Sequence, residues 1–188
     1  RRNIFASTAA VVGERTTPTY YTGVHEIDAM HWIVGARIVS VWAQGTRKVL
    51  CRSGISVDDV VLVNIRFSND AVGILEVSFC LPSVQGCRQT PSFEAVGTEG
   101  MVFVEPYKQG ATILASNTVR NPETFYLFEP LLYGRFCGVY HDEIVHFIDC
   151  IRLGGQPTVG VEEGYAAVAV AEAIERSIEL RREIEVEY

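Results

Sequence analysis

Residues 59–79 read DVVLVNIRFSNDAVGILEVSF, and the period of their apolar side chains decides the fold. Val61, Val63, Ile65 and Phe67 take every second position, as side chains on one face of a strand do, and residues 71–79 (AVGILEVSF) follow as a second strand. Between the two runs stands Ser68-Asn69-Asp70, three short polar residues of the kind that close a hairpin. The first strand has a second feature. Its other face carries Val60 and Leu62 before Asn64 and Arg66, whereas a sheet with one wet face alternates more strictly. Cover for that second face is expected from a partner subunit or domain, with a loop of the same chain as the alternative.

Outward from this hairpin the elements change in kind. Upstream, residues 37–44 (RIVSVWAQ) are rich in β-branched residues and predict a strand. Residues 23–34 predict a short helix that Gly35 ends, preceded by a Thr-rich loop at 16–19 and a strand over 2–12 built on Ile4, Ala6, Val11 and Val12. Downstream, residues 92–97 (SFEAVG) and 101–105 (MVFVE) flank Thr98-Glu99-Gly100 as a second hairpin. Residues 111–115 (ATILA) are expected to extend the same antiparallel sheet. The last third has helical spacing. Asp142 is placed to cap a helix with the stripe Ile144, Phe147, Ile148 and Ile151, stopped by Gly154-Gly155 and Pro157. A longer helix over 162–180 carries Ala167, Val170, Ala171, Ile174 and Ile178, and residues 183–187 (EIEVE) form a closing strand. The expected class is α+β: one domain over 1–188 with a mostly antiparallel, mixed open sheet, helices on one face and the other face left for self-association.

Bulk properties exclude several functions. The chain has 188 residues, of which 48 % are hydrophobic and 21 % charged, and a formal net charge of −7. That balance offers no general attraction to nucleic acid or to an anionic membrane, and no apolar run has the length of a membrane span. Five cysteines, an odd number without a CxxC pair, point to a reduced, cytoplasmic protein and not to a disulfide scaffold. The chain has no signal peptide and opens on Arg1-Arg2 without an initiating Met, so a fragment or a processed piece is expected.

Chemistry concentrates in residues 20–35, YYTGVHEIDAMHWIVG. On a helix His25, Asp28 and Trp32 share one side, while Val24, Ile27, Met30, Ile33 and Val34 make the rest apolar and suggest burial on most sides. In a first turn, His25 meets the positive end of the helix dipole, which favours the neutral imidazole. Read from chemistry alone, such a His is better explained by a satisfied structural role than by acid–base work. Other candidates are weaker. His141 and His146 are five apart and HDEIVH is not a metalloprotease motif, so no metal is expected. Asp58-Asp59 reads as a solvated strand entrance, Cys150 as a small core residue, and Tyr140 and His141 as solvated loop residues before a helix, with lining a substrate pocket as the alternative.

The segment GVHEIDAMHWIVG (23–35) resembles the signature of the Gfo/Idh/MocA family of oxidoreductases. Further matches follow in order: SVWAQG as the next strand, VDDVVLVNIRFSNDAVGILEVSF as the long hairpin, FEAVGTEGMVFVE as the second hairpin, then HDEIVHFIDCIRLGGQPTV and EEGYAAVAVAEAIERSIELRREIEV as the closing helices and strand. The resemblance implies the C-terminal domain of a dehydrogenase acting on a sugar- or polyol-type CH–OH/ketone centre. It implies NAD or NADP bound mainly by a preceding Rossmann domain, and assembly into dimers or tetramers through the sheet. It also implies that His25 moves the substrate hydroxyl proton, partnered by a lysine of a Glu-Lys-Pro motif in the preceding half. Neither that motif nor a Gly-x-Gly-x-x-Gly fingerprint is found in these 188 residues, so this piece alone is expected to hold no dinucleotide tightly and to be inactive. Many members have Asp four residues before the histidine. Tyr21 stands here instead, a phenol that can bond a substrate hydroxyl without being an anion at neutral pH. That departure keeps a ligand-sensing or assembly role in view. A cysteine-nucleophile dehydrogenase domain ranks last, because no cysteine pairs convincingly with a histidine.

Overall fold

The computed structural model describes residue 12, residues 15–80, 92–104, 113–115, 118–120, 131–132 and 134–188. They fall into two compact units, Arg1–Pro82 with Val159–Tyr188, and Ser83–Thr158.

The first unit is built on the hairpin. β1 (Ile38–Thr46), β2 (Val60–Phe67) and β3 (Val72–Ser78) form an antiparallel sheet, with β10 (Ile184–Glu185) added beside β1. In register, Ala43 faces Val63 and Val63 faces Leu75, so one face collects Val41, Ala43, Val61, Val63, Ile65, Leu75 and Val77, all buried. The turn closes as its residues require, with Asp70 in the left-handed region at φ 65°. Two helices cover this face: α1 (Val24–Val34) and α3 (Val161–Leu180). α3 contacts β1 through small side chains, with Val170, Ala171 and Ile174 at 0 % exposure. The hydroxyl of Ser177 joins them further by accepting the Ala43 N–H at 2.9 Å and donating to the Arg182 carbonyl at 2.6 Å.

The second unit contains the hairpin β4 (Phe93–Val96) and β5 (Met101–Val104), the strand pairs β6 (Ile113–Ala115) with β7 (Thr118–Arg120) and β8 (Leu131–Leu132) with β9 (Arg135–Phe136), and helix α2 (Val139–Leu153). Every described pairing in both units is antiparallel, and the class is α+β.

Several expectations need correction. Residues 113–115 do not lengthen the β4–β5 sheet but pair with 118–120 as a separate ladder. The Thr-rich stretch at 16–19 is only partly loop. Pro18, whose ring suits the opening of a helix, starts a helical run, and Thr19–Gly23 forms a π-helical turn leading into α1. Of the strand expected over 2–12 only Val12 is described, and it is helical; the rest lies outside the described residues. α2 begins at Val139, with Gly138 as its cap, three residues before Asp142. Its stripe is exposed, from 53 % at Ile148 to 70 % at Ile151. Asp58 and Asp59 are not a solvated entrance but are 4 % and 3 % exposed. Asp59 accepts the N–H groups of Lys48, Val49 and Leu50 at 2.5–2.8 Å, tying down the 3₁₀ turn Leu50–Ser53, and Asp58 pairs with Arg47 at 3.1 Å. Cys150 is half-buried, its thiol donating to the Gln156 carbonyl at 3.3 Å and lying 3.7 Å from His146 Nε2.

Candidate functional site

α1 holds the candidate residues His25 and Trp32 and is seated on β3 by two contacts. At Gly23 the chain lies against Val77, whose methyl would meet an added Cβ at an ordinary contact distance of 3.5 Å. Gly73 in turn leaves room for Met30, whose Cε would lie 2.8 Å from an added Cβ. Ile27 and Met30 thereby turn into the core at 0 % and 8 % exposure. The residues about half a turn away, His25 and Trp32, turn outward, both exposed. The helix is therefore amphipathic and not buried on most sides, and Trp32 reaches 82 % exposure.

The π-helical turn changes the local reading of His25. Helical backbone already begins at Pro18, so His25 lies beyond the first turn and the expected help from the helix dipole, which fades within one turn, does not apply. Tyr21 sits one turn before His25, 41 % exposed, its ring held edge-on to Phe79 with centroids 5.7 Å apart. Both side chains are exposed.

Glu26, which sequence reasoning passed over, is the polar neighbour with an unusual setting. Its Oε2 is buried and has no hydrogen-bond partner. Burial pushes its carboxyl above the usual range, against smaller lowering effects of its own backbone N–H and of His25. No period or motif flags it, since a Glu after a His on a helix is unremarkable until its face is known.

At the far end of α1, His31 is structural. Its Nε2 accepts the Ile38 N–H at 3.3 Å and lies 3.3 Å from the Tyr188 hydroxyl, which itself donates to the Ile38 carbonyl at 2.7 Å. Arg37 lies over the Tyr188 ring at 4.6 Å. Burial lowers the His31 imidazole below the usual histidine range; Asp28 opposes this and Arg37 adds to it.

Tyr140 and His141 belong to the second unit. Both lie in the first turn of α2, not ahead of it, and both are exposed, with His141 Nδ1 2.9 Å from Asp142 Oδ1. Among the described residues no three metal-binding side chains gather, and no helix is long and apolar enough to cross a membrane. Nor do these glycines form a phosphate cradle. Gly97 and Gly100 bond to each other across the β4–β5 turn, while Gly154 caps the C-terminus of α2 in the left-handed region. Neither turn leads from a strand into a helix, so these three described glycines form no pyrophosphate cradle.

Comparison with known proteins agrees with this architecture. Residues 13–186 match the family model described as "Oxidoreductase family, C-terminal alpha/beta domain". The chain is 26 % identical to myo-inositol 2-dehydrogenase of Thermotoga maritima over 166 residues, covering 87 % of this chain and 47 % of that protein. It is 30 % identical to scyllo-inositol 2-dehydrogenase (NAD(+)) of Bacillus subtilis over 155 residues, covering 77 % and 42 %. The fold matches that of scyllo-inositol dehydrogenase from Lactobacillus casei, solved with NAD(H) and scyllo-inositol, with TM-score 0.70 at 16 % identity over 97 % of this chain and 53 % of that one. The chain thus spans about half the length of the curated relatives it matches. With the helix–sheet arrangement and the family match over 13–186, the chain belongs to the Gfo/Idh/MocA oxidoreductase family, as its C-terminal alpha/beta domain.

Proposed function

We propose that this chain is the substrate-binding and self-associating domain of an NAD(P)-dependent oxidoreductase that acts on the CH–OH/ketone centre of a sugar or polyol. The observation that carries this is an outward-facing His25 at the start of α1, inside the family match over 13–186. In this reading the dinucleotide supplies the hydride acceptor and is held by a preceding half. The His25 imidazole takes the proton of the reacting hydroxyl during oxidation and returns it during reduction. The Tyr21 phenol, fixed against Phe79, bonds a neighbouring hydroxyl. The relatives named for myo- and scyllo-inositol support the polyol class. The 188 residues by themselves are proposed to act as one inactive domain in the cytoplasm. Cys51 and Cys150 are free thiols, as a reducing compartment permits.

Self-association is assigned to the outer face of the first unit's sheet. Trp42, Leu62, Val72 and Ile74 lie there at 44 %, 49 %, 81 % and 75 % exposure, among Asn64, Arg66 and Glu76. Light scattering of the chain at micromolar concentration should give the mass of a dimer or tetramer.

The test of activity is formation of NADH or NADPH by the full-length polypeptide with myo-inositol, scyllo-inositol and common sugars. His25→Ala should lower kcat by about 10²–10⁴-fold, the usual contribution of a positioned acid–base group, with dinucleotide binding little changed. Tyr21 in the place of the family Asp favours a second reading, a ligand-sensing or assembly domain. Binding of a polyol without any turnover would decide for it.

A further inference from the structure

We infer that Trp32 is the anchor by which the dinucleotide-binding half docks onto this domain; the inference rests on the reading above, in which that half exists and delivers its cofactor to His25. An indole that is 82 % exposed is costly to leave in water and is the side chain most enriched at the centres of protein interfaces. Its position is not arbitrary. Trp32 follows His25 by seven residues on one continuous helix, which places the two within about 20° of each other around the axis and about 10 Å apart along it. Ile33 borders the same surface at 42 % exposure, while Ile27 and Met30 on the opposite side fill the core.

Geometry then sets the partner. A carbon losing hydride must lie within about 3–3.5 Å of the acceptor atom while its hydroxyl stays within reach of His25. The body holding the acceptor must therefore come down on the outward face of α1. A dinucleotide-binding unit is far larger than 10 Å across, so a body centred on His25 also reaches Trp32. The length relation agrees, since this chain spans 47 % and 42 % of two relatives and leaves room for a body of similar size. Trp32 lies far enough from His25 to escape the chemistry and close enough to fix the approach. Burying its apolar surface restrains that approach without placing a polar group near the reacting atoms.

The test replaces Trp32 by p-benzoylphenylalanine in the full-length polypeptide, a swap of one large aromatic for another at a surface position of this domain. The protein is irradiated and the cross-link mapped by mass spectrometry. A link to the preceding half, in a product with the mass of one polypeptide, is expected. A link landing within residues 1–188, a link to a second copy, or no link at all overturns the assignment. Polyol-dependent NADH or NADPH formation is measured in parallel on the unsubstituted polypeptide. A link without turnover leaves the docking surface standing and defeats the dehydrogenase reading, whereas turnover without the link does the reverse.

Discussion

Helices α2 and α3 have the same amphipathic spacing and opposite fates. In α3 the stripe Ala167, Val170, Ala171 and Ile174 is buried to 4 % exposure or less; in α2 the stripe Ile144, Phe147, Ile148 and Ile151 is 53–70 % exposed. The difference lies in what each helix packs on. Alanines let α3 approach β1 closely enough for Ser177 to bond the strand, and the first unit closes around that contact. The branched and aromatic residues of α2 project from a helix that buries none of its residues. Helical period therefore guarantees a helix and an apolar face, and says nothing of whether that face is covered.

The polar contacts of the two units divide in the same way. In the first, Asp59 and Ser177 satisfy backbone groups in buried settings. In the second, His146 Nε2 accepts the Thr158 N–H at 3.0 Å in an exposed setting, where water is a ready substitute.

Substitutions can sharpen or break this contrast. The largest expected effect is Ile174→Ala, which opens a cavity in a buried face and should cost about 2–5 kcal/mol of unfolding free energy in urea titrations. Ile151→Ala, the same class of change on α2, should stay within about 0.5 kcal/mol. Equal costs would show that α2 is covered in solution after all.

Asp59→Ala should follow, at about 2–3 kcal/mol, because buried N–H groups of Lys48, Val49 and Leu50 lose their acceptor. His146→Ala should cost less than about 1 kcal/mol. Asp59 also predicts a pH dependence. Burial alone would raise its carboxyl, but the three N–H groups and the Cys80 thiol outweigh that and hold it below the usual value. A depressed folded value means that stability is fully present above the ordinary carboxylate pKa and is lost as pH falls through the folded one. Asp59→Asn should flatten that acid limb, and an unchanged limb would remove the assignment.

A smaller effect concerns His31. Its imidazole is held below the ordinary value of 6.5, so the unfolded chain takes up the proton first. Stability should therefore fall as pH drops below about 6.5 and level off once the folded imidazole is protonated too. Tyr188→Phe removes the hydroxyl bonded to Ile38 and should cost about 1 kcal/mol. Denaturation midpoints between pH 5 and 8 test both.

Much of this architecture can be read from the residues alone. The alternation through 60–67 and 72–78 with its Ser-Asn-Asp turn made the hairpin plain, since a period of two admits little else over that length. The α3 stripe was equally legible, and GVHEIDAMHWIVG led to the family. The π-helical turn was not legible. Thr19, Tyr20, Tyr21 and Thr22 carry modest helix propensity, and their backbone follows from Pro18 at the start and from packing over β3. Asp58-Asp59 was misread for a related reason. Two adjacent carboxylates look solvated until the partners that make burial affordable, here Arg47 and three N–H groups ten residues upstream, are known to converge on them.

The sequence by itself determined the antiparallel core, the amphipathic helices, the family and the candidacy of His25, because local period and short motifs are properties of neighbouring residues. Tertiary structure decided which apolar stripe is buried, that Asp59 and Ser177 act as clamps, that β10 pairs with β1, and that Trp32 faces outward beside His25. Those outcomes depend on which surfaces meet across distances of up to 158 residues in the chain, as Thr17 and Glu175 do. Burial and hydrogen-bond partnership are set there, where desolvation and packing are balanced, and not by the residue types alone.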